Sequence, residues 1–143
     1  MSERISVLAL LEGKGHDYVH LARPLLRSME AAQRFLVDVF GFKRGRLDRD
    51  SNGRPVHAEV SMGDSVIWIH RVDPEHGLVS ARSLSAQPGG LVVFVEDVDS
   101  HYNHAKNAGA IIDSLPTDQP YGQREYSARD QEGNLWYFAT RGR

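Results

Sequence analysis

The chain has 143 residues, with 17 Lys+Arg against 19 Asp+Glu, a net charge of -2 and no cysteine. That balance provides no electrostatic footprint for a polyanion such as nucleic acid. A content of 41% hydrophobic and 25% charged residues excludes a disordered or fibrous chain, and the lack of cysteine removes disulfides, thiolate metal sites and a Cys nucleophile and suits a reducing compartment.

Area scaling for this mass buries roughly two-thirds of the extended chain's surface, enough for one independent core. The apolar stretch Ile5 to Leu11 is short for a signal segment, runs into Glu12 and lacks a small-x-small cleavage site. Leu91 to Val95 is far too short to cross a bilayer. The expectation is a cytoplasmic protein.

Residues 1–17 read as an N-terminal extension that forms an extra edge strand or a partner contact. Tyr18 to Leu26 reads as an extended run, and Ser28 stands where a helix N-cap would sit. Ala32, Phe35, Leu36, Val39 and Phe40 then recur on one helical face, and Gly41 stops the helix. A polar loop around Asp50, Asn52 and Gly53 leads to an alternating strand Val56 to Met62, a turn at Gly63-Asp64 and a strand Val66 to His70. The unit is read as β-α-β-β-β, its second strand given no residues of its own.

After a linker, Asp73 to Gly90, the order repeats. Leu91 to Val95 is a strand, and Asp97 caps a helix whose packed positions include Val98, Tyr102 and Ala105 and which ends at Gly109. Strands follow at Ala110 to Leu115, Arg124 to Arg129 and Leu135 to Thr140, with a loop Pro116 to Gly122 and a turn at Gly133-Asn134. Gly41 and Gly109 are 68 positions apart, and Gly63 and Gly133 are 70 apart. Equal spacing predicts an α+β domain of two βαβββ modules, 18–72 and 89–140, forming a curved mixed sheet with a concave cleft on the face the helices leave bare.

Strand alternation assigns side chains to that bare face. His57, Glu59 and Ser61 point there if Val56, Ala58, Val60 and Met62 sit under the helix. By the same parity Trp68 and His70 join them, and Leu135 and Tyr137 do so in the second module while Trp136 and Phe138 face the helix. For the strand 124–129, parity alone leaves Arg124/Tyr126 and Glu125/Ser127 equivalent.

Several strings carry a family resemblance: Val95-Glu96-Asp97-Val98-Asp99 before the helix, Asn107-Ala108-Gly109-Ala110 after it, Pro120-Tyr121-Gly122-Gln123-Arg124-Glu125, and Asp130-Gln131-Glu132-Gly133-Asn134-Leu135-Trp136. With Phe35, Val39-Phe40-Gly41-Phe42 and His57-Ala58-Glu59 in the first module, the chain over 18–140 resembles the glyoxalase/bleomycin resistance/dioxygenase superfamily, the vicinal oxygen chelate proteins. The resemblance implies metal ligands, usually His and Glu, on the first and last strand of each module. Carried onto this sequence, those positions fall on Leu21, Gly90, near Trp68 and on Tyr137, which supply no ligand set. A one-residue slip brings in His20 alone. The resemblance also favours Glu125 and Ser127 as the bare-face pair.

His57, Glu59 and His70 are the one set that could make a displaced metal site, against the plainer reading of a solvated polar face. His101 and His104 read as exposed helix residues. Trp68 and Tyr137 are either dimer packing or walls for a planar or sugar-bearing ligand, and Glu59 and Glu125 either anchor a cationic ligand or act as a base, or else pair with Arg23 or Arg124. Glu12-Gly13-Lys14-Gly15 lacks the spacing of a phosphate-binding loop.

The expected function is that of a metal-free homodimer, without cofactor, that binds a small organic ligand through Arg23, His57, Glu59, Trp68, His70, Phe94, Glu125, Ser127 and Tyr137. Neither nucleic acid nor membrane is an expected partner. The alternative is a lyase, isomerase or dioxygenase with a displaced metal site or metal-free acid-base chemistry. A partner-binding module would instead have its cleft filled by the linker.

Overall fold

The computed structural model describes residues 4–6, 28–86 and 89–142. Helix α1 spans Met29–Asp38, and its N-cap is Ser28, whose side chain accepts from the Ala31 amide at 3.0 Å. Gly41 follows with φ of 75°, a left-handed conformation that suits glycine after a helix. Strands β2 (Lys43–Arg49), β3 (Pro55–Met62) and β4 (Ser65–His70) form an antiparallel meander.

The parallel neighbour of β4 is β1 (Arg4–Ser6), so the sheet order is β1-β4-β3-β2. This strand fills the edge place that the sequence left open for the N-terminal segment. The extended run at 18–26 lies outside the described residues.

The second module repeats the first. Strand β5 (Leu91–Phe94) leads into α2 (Val98–Asn107), then β6 (Ile111–Asp118), β7 (Gln123–Arg129) and β8 (Leu135–Arg141), in the order β5-β8-β7-β6. Asp97 caps α2 by accepting from the Asp99 and Ser100 amides, both at 3.0 Å. The internal repeat is therefore real in topology. Hydrogen bonding makes two four-stranded sheets, one per module, as the α+β reading of two βαβββ units expects; α1 packs on the first and α2 on the second.

The core lies between each helix and its sheet. Leu36, Ala58, Val60, Ile67 and Ile69 are buried in the first module, and Val98, Ala105, Tyr126, Ala128, Trp136 and Phe138 in the second. Phe40 and Phe42 join them: the Phe40 ring is 4.9 Å from Phe138, and the Phe42 ring is 5.5 Å from Trp136. Edge and tilted ring pairs at such spacings add to simple area burial.

Two histidines reinforce this contact. His101 Nε2 donates to the Phe40 carbonyl at 2.8 Å while Tyr126 OH donates to His101 Nδ1 at 2.8 Å, and His104 Nε2 donates to the Asp38 carbonyl at 2.8 Å. The expectation that both imidazoles are exposed holds for His104 and is corrected for His101, which is half-buried. His104 satisfies the carbonyl of Asp38, the last residue of α1, which the helix itself leaves open, and His101 satisfies that of Phe40 just beyond the helix.

Turn chemistry fixes the register. Asp130, buried in the β7–β8 turn, accepts from the amides of Glu132 and Asn134, from Asn134 Nδ2 and from the Trp136 indole. Burial pushes its carboxyl upward against the pull of those donors. Part of the linker fastens onto the same turn, with Ser80 Oγ donating to Glu132 at 3.0 Å and Arg82 Nη1 to the Gln131 carbonyl at 3.1 Å.

Candidate functional site

The face of the first sheet opposite α1 is set by β3 and β4. Ala58 and Val60 are fully buried under the helix, so His57 and Glu59 turn the other way. In the ladder His57 stands opposite His70, and Glu59 opposite Trp68, which brings four of the predicted residues onto one face.

The arrangement there is specific. The His57 ring meets the Trp68 ring edge-on with centroids 5.3 Å apart, and His57 Nδ1 donates to Asp48 Oδ2 at 3.0 Å. Asp48 is held below the usual carboxylate range, first by this bond and then, against some desolvation, by Arg46. Arg46 Nη2 bridges Asp48 at 3.2 Å and Glu59 at 3.6 Å. With its proton on Nδ1, His57 presents a lone pair at Nε2, and that atom is buried with no hydrogen-bond partner among the described residues. His70 commits its own Nδ1 to the Arg71 carbonyl at 2.8 Å.

Glu59 is positioned by a device the sequence did not announce. Gln33 of α1 is 2% exposed, and its Nε2 lies within 3.1 Å of the carbonyls of Gly45, Arg46 and Glu59. These carbonyls flank the register shift between Arg44 and Leu47, where β2 bulges away from β3. Gly45 is required at this crossing, because a Cβ there would sit 2.8 Å from Glu59 Cβ.

On the second sheet, Tyr126 and Ala128 are buried toward α2, which leaves Glu125 and Ser127 on the opposite face. Ser127 pairs with Tyr137, and Tyr137 with Val92; in the adjacent row Glu125 pairs with Ala139, and Ala139 with Phe94. Tyr121 OH donates to Glu125 Oε1 at 2.6 Å, and the Arg141 guanidinium lies 4.4 Å over the Phe94 ring. Ser127 Oγ is shared with Ser114 Oγ at 2.7 Å.

The plain alternative for Glu125, an ion pair with Arg124, is not formed. Arg124 turns to the helix side and binds Asp99 at 2.9 Å and Asp118 at 3.1 Å. Predicted residues thus gather in two groups: His57, Glu59, Trp68 and His70 on the first sheet, and Phe94, Glu125, Ser127 and Tyr137 on the second. Arg23 lies outside the described residues.

The metal positions implied by the family resemblance can be tested here. A Cβ at Gly90 would lie 2.8 Å from Tyr137 Cε2 and 3.0 Å from the Leu135 carbonyl, so the tyrosine ring already fills the space a ligating side chain would need. Among the described residues no group of three or more His, Cys, Asp or Glu is placed to hold a metal ion, and His57, Glu59 and His70 are not such a group. These residues do not fit a family-type metal centre.

Residues 20–138 match the profile of the Glyoxalase/Bleomycin resistance protein/Dioxygenase superfamily. Among solved structures, TioX from Micromonospora sp. ML1 is 31% identical with a TM-score of 0.62, covering 80% of this chain and 90% of its own. TnmS3, an antibiotic binding protein from Streptomyces sp. CB03234, is 18% identical with a TM-score of 0.64, covering 99% and 96%. A superfamily member from Sphaerobacter thermophilus DSM 20745 is also 18% identical, with a TM-score of 0.64 and coverage of 98% and 96%. No curated protein matches the chain.

Proposed function

Because the chain belongs to the Glyoxalase/Bleomycin resistance protein/Dioxygenase superfamily, we propose that it binds and sequesters a small organic molecule against the helix-free faces of its sheets, without a bound metal ion. The observation that carries this reading is the substitution of aromatic rings for ligating side chains: Trp68 and Tyr137 stand at or beside the implied metal positions, with acids and imidazoles around them. Rings supply apolar area and stacking, and a few polar groups fix orientation, which is the usual economy of a ligand site. The buried His57 Nε2, without a hydrogen-bond partner among the described residues, supports the reading as an acceptor for a ligand N–H or O–H. The fold also serves TnmS3, described as an antibiotic binding protein.

The functional unit in this proposal is a homodimer in which an open face of one subunit is completed by its partner to form a cleft. Val92 and Phe94, 48% and 42% exposed on the edge strand β5, support it as apolar surface that such an assembly would cover. The protein acts in the cytoplasm in this reading, as its lack of cysteine suggests. Among the described residues no helix is long and apolar enough to cross a membrane.

A thermal-shift screen against antibiotics and aromatic metabolites, with and without divalent metals, tests the proposal. A ligand present at about 100 times its Kd adds roughly 2.7 kcal/mol of stability. A genuine hit shifts the melting temperature equally after chelation and is lost in Trp68→Ala; a shift that requires Zn, Ni, Mn or Fe sinks the metal-free reading. Sedimentation of the protein checks the dimer.

One observation favours a second reading, metal-free acid-base catalysis. The Asp48–His57 pair, with Nδ1 held by a carboxylate at 3.0 Å, is the arrangement that orients an imidazole to take a proton at Nε2. Recovery of a chemically altered ligand from wild type but not from His57→Gln would select it.

A further inference from the structure

Two turns of the chain are built alike, and one of them carries a reactive pair. In the β2–β3 turn the Asp50 carbonyl accepts from the Gly53 amide at 2.9 Å, and Asp50 Oδ1 accepts from the amides of Asn52 and Arg54, both at 2.9 Å. In the β7–β8 turn Asp130 makes the same contacts with Gly133, Glu132 and Asn134, at 3.0, 2.9 and 3.0 Å. The turns differ in the residue before the glycine and in exposure. Glu132 is buried and accepts from Ser80 Oγ, whereas Asn52 is exposed, as are Ser51, Gly53 and Arg54 around it.

Asparagine is chemically labile, and most so before glycine, where no side chain hinders the approach of the next backbone nitrogen to the side-chain amide carbon. Around Gly53 the space is open, since a Cβ there would meet nothing within 4 Å. Among the described residues no hydrogen bond engages the Asn52 side-chain amide. The other asparagines are placed differently. Asn103 and Asn107 lie within α2 and precede His104 and Ala108, and Asn134 is buried with its Nδ2 held by Asp130 at 2.9 Å.

We infer that Asn52–Gly53 is a site of spontaneous covalent modification, at which the exposed tip of the β2–β3 hairpin exchanges a neutral amide for a carboxylate. The Gly53 nitrogen attacks Asn52 Cγ, the new C–N bond closes a succinimide, and the Cγ–Nδ2 bond breaks, with the Gly53 amide proton leaving in ammonia. Water then opens the ring. Opening at Cγ gives aspartate, and opening at the former main-chain carbonyl gives isoaspartate, whose backbone runs through the side chain. Water is the one co-reactant.

Asp50 governs both the rate and the consequence. Its carbonyl holds the Gly53 N–H, so the nitrogen attacks only when the turn opens locally. Either product places a second carboxylate near Asp50, which already draws Arg54 at 3.2 Å and Arg71 at 3.3 Å. Isoaspartate also adds a backbone atom between the Asn52 and Arg54 amides, which pulls them out of their shared bond to Asp50 Oδ1.

Incubation of the folded protein at mildly alkaline pH, followed by peptide mapping with mass detection, tests this site. The peptide holding Asn52 should gain a single mass unit and split into aspartate and isoaspartate forms at least about tenfold faster than the peptides holding Asn103, Asn107 or Asn134. Asp50→Ala frees the turn and should speed conversion about tenfold further. Asn52→Gln, whose longer side chain closes a less favourable ring, should halt it with circular dichroism unchanged. Equal rates at all the asparagines of the wild-type chain overturn the site, and a rate at Asn52 that Asp50→Ala leaves unaltered overturns the control by Asp50.

Discussion

Single residues decide much of the local geometry. Asp130 gathers four donors within one turn, two amides, an asparagine side chain and the Trp136 indole, so it ties the β7–β8 turn to the centre of the second core. Asp130→Ala leaves those donors buried and unpaired. The expected loss is about 3 kcal/mol or more in urea denaturation, accompanied by a change in tryptophan fluorescence. Asp130→Asn, which retains an acceptor, should cost clearly less, and equal losses would refute the hydrogen-bond account.

Gln33 works in the same way on the other module, where one amide serves the carbonyls at the β2 bulge and accepts from Arg44 Nη1 at 3.1 Å. Gln33→Ala is expected to cost about 2 kcal/mol. It should also loosen Glu59, visible as faster amide exchange in β2 and β3 with α1 unaffected.

At the level of elements, α1 and α2 meet through a titratable contact. Burial, with a smaller contribution from His104, holds His101 below its ordinary value of 6.5, and its bond to the Phe40 carbonyl opposes this. The folded chain therefore binds fewer protons at this site than the unfolded chain. Stability from the neutral imidazole is complete above the unfolded value and falls as pH drops below it toward the lowered folded value. Melting temperatures should decline between about pH 7 and pH 5, and His101→Gln, which can still donate to Phe40, should flatten that decline. An identical slope in wild type and variant would remove His101 from the account.

The same elements show what a sequence can disclose. Strands β3, β4 and β8 alternate because one face packs under a helix, and the caps Ser28 and Asp97 are local chemistry, so all were legible. Strand β2 was not, since Lys43–Arg49 is polar along an edge and its place is held by backbone pairing and by Gln33. The three-residue β1, Arg4–Ser6, has a single apolar residue, too few to show an alternation. The bare-face residues followed from parity, but the role of His101 depends on Phe40 and Tyr126, 61 and 25 positions away, and no local pattern reports such a pairing. Likewise parity alone left the strand with Glu125 ambiguous; the family resemblance favoured Glu125 and Ser127, and the burial of Tyr126 and Ala128 gives that phase.

In the whole molecule, two like modules share one core on the helix side through Phe40, Phe42, Trp136 and Phe138 and keep their opposite faces for other work. A shared core predicts one cooperative unfolding transition, with coincident far-UV circular dichroism and tryptophan fluorescence curves; two separated transitions would mean that the modules are independent.

The central claim is that a small organic molecule lies on the helix-free faces with no metal ion between it and the protein. Amide chemical-shift mapping of a ligand found in the screen, recorded in the presence of a chelator, tests this most directly. The account predicts perturbations concentrated on β3 and β4 around His57, Glu59 and Trp68 and on β7 and β8 around Glu125 and Tyr137, with α1 and α2 quiet. Perturbations centred on the helices, or a map that vanishes when the chelator is added, would contradict it.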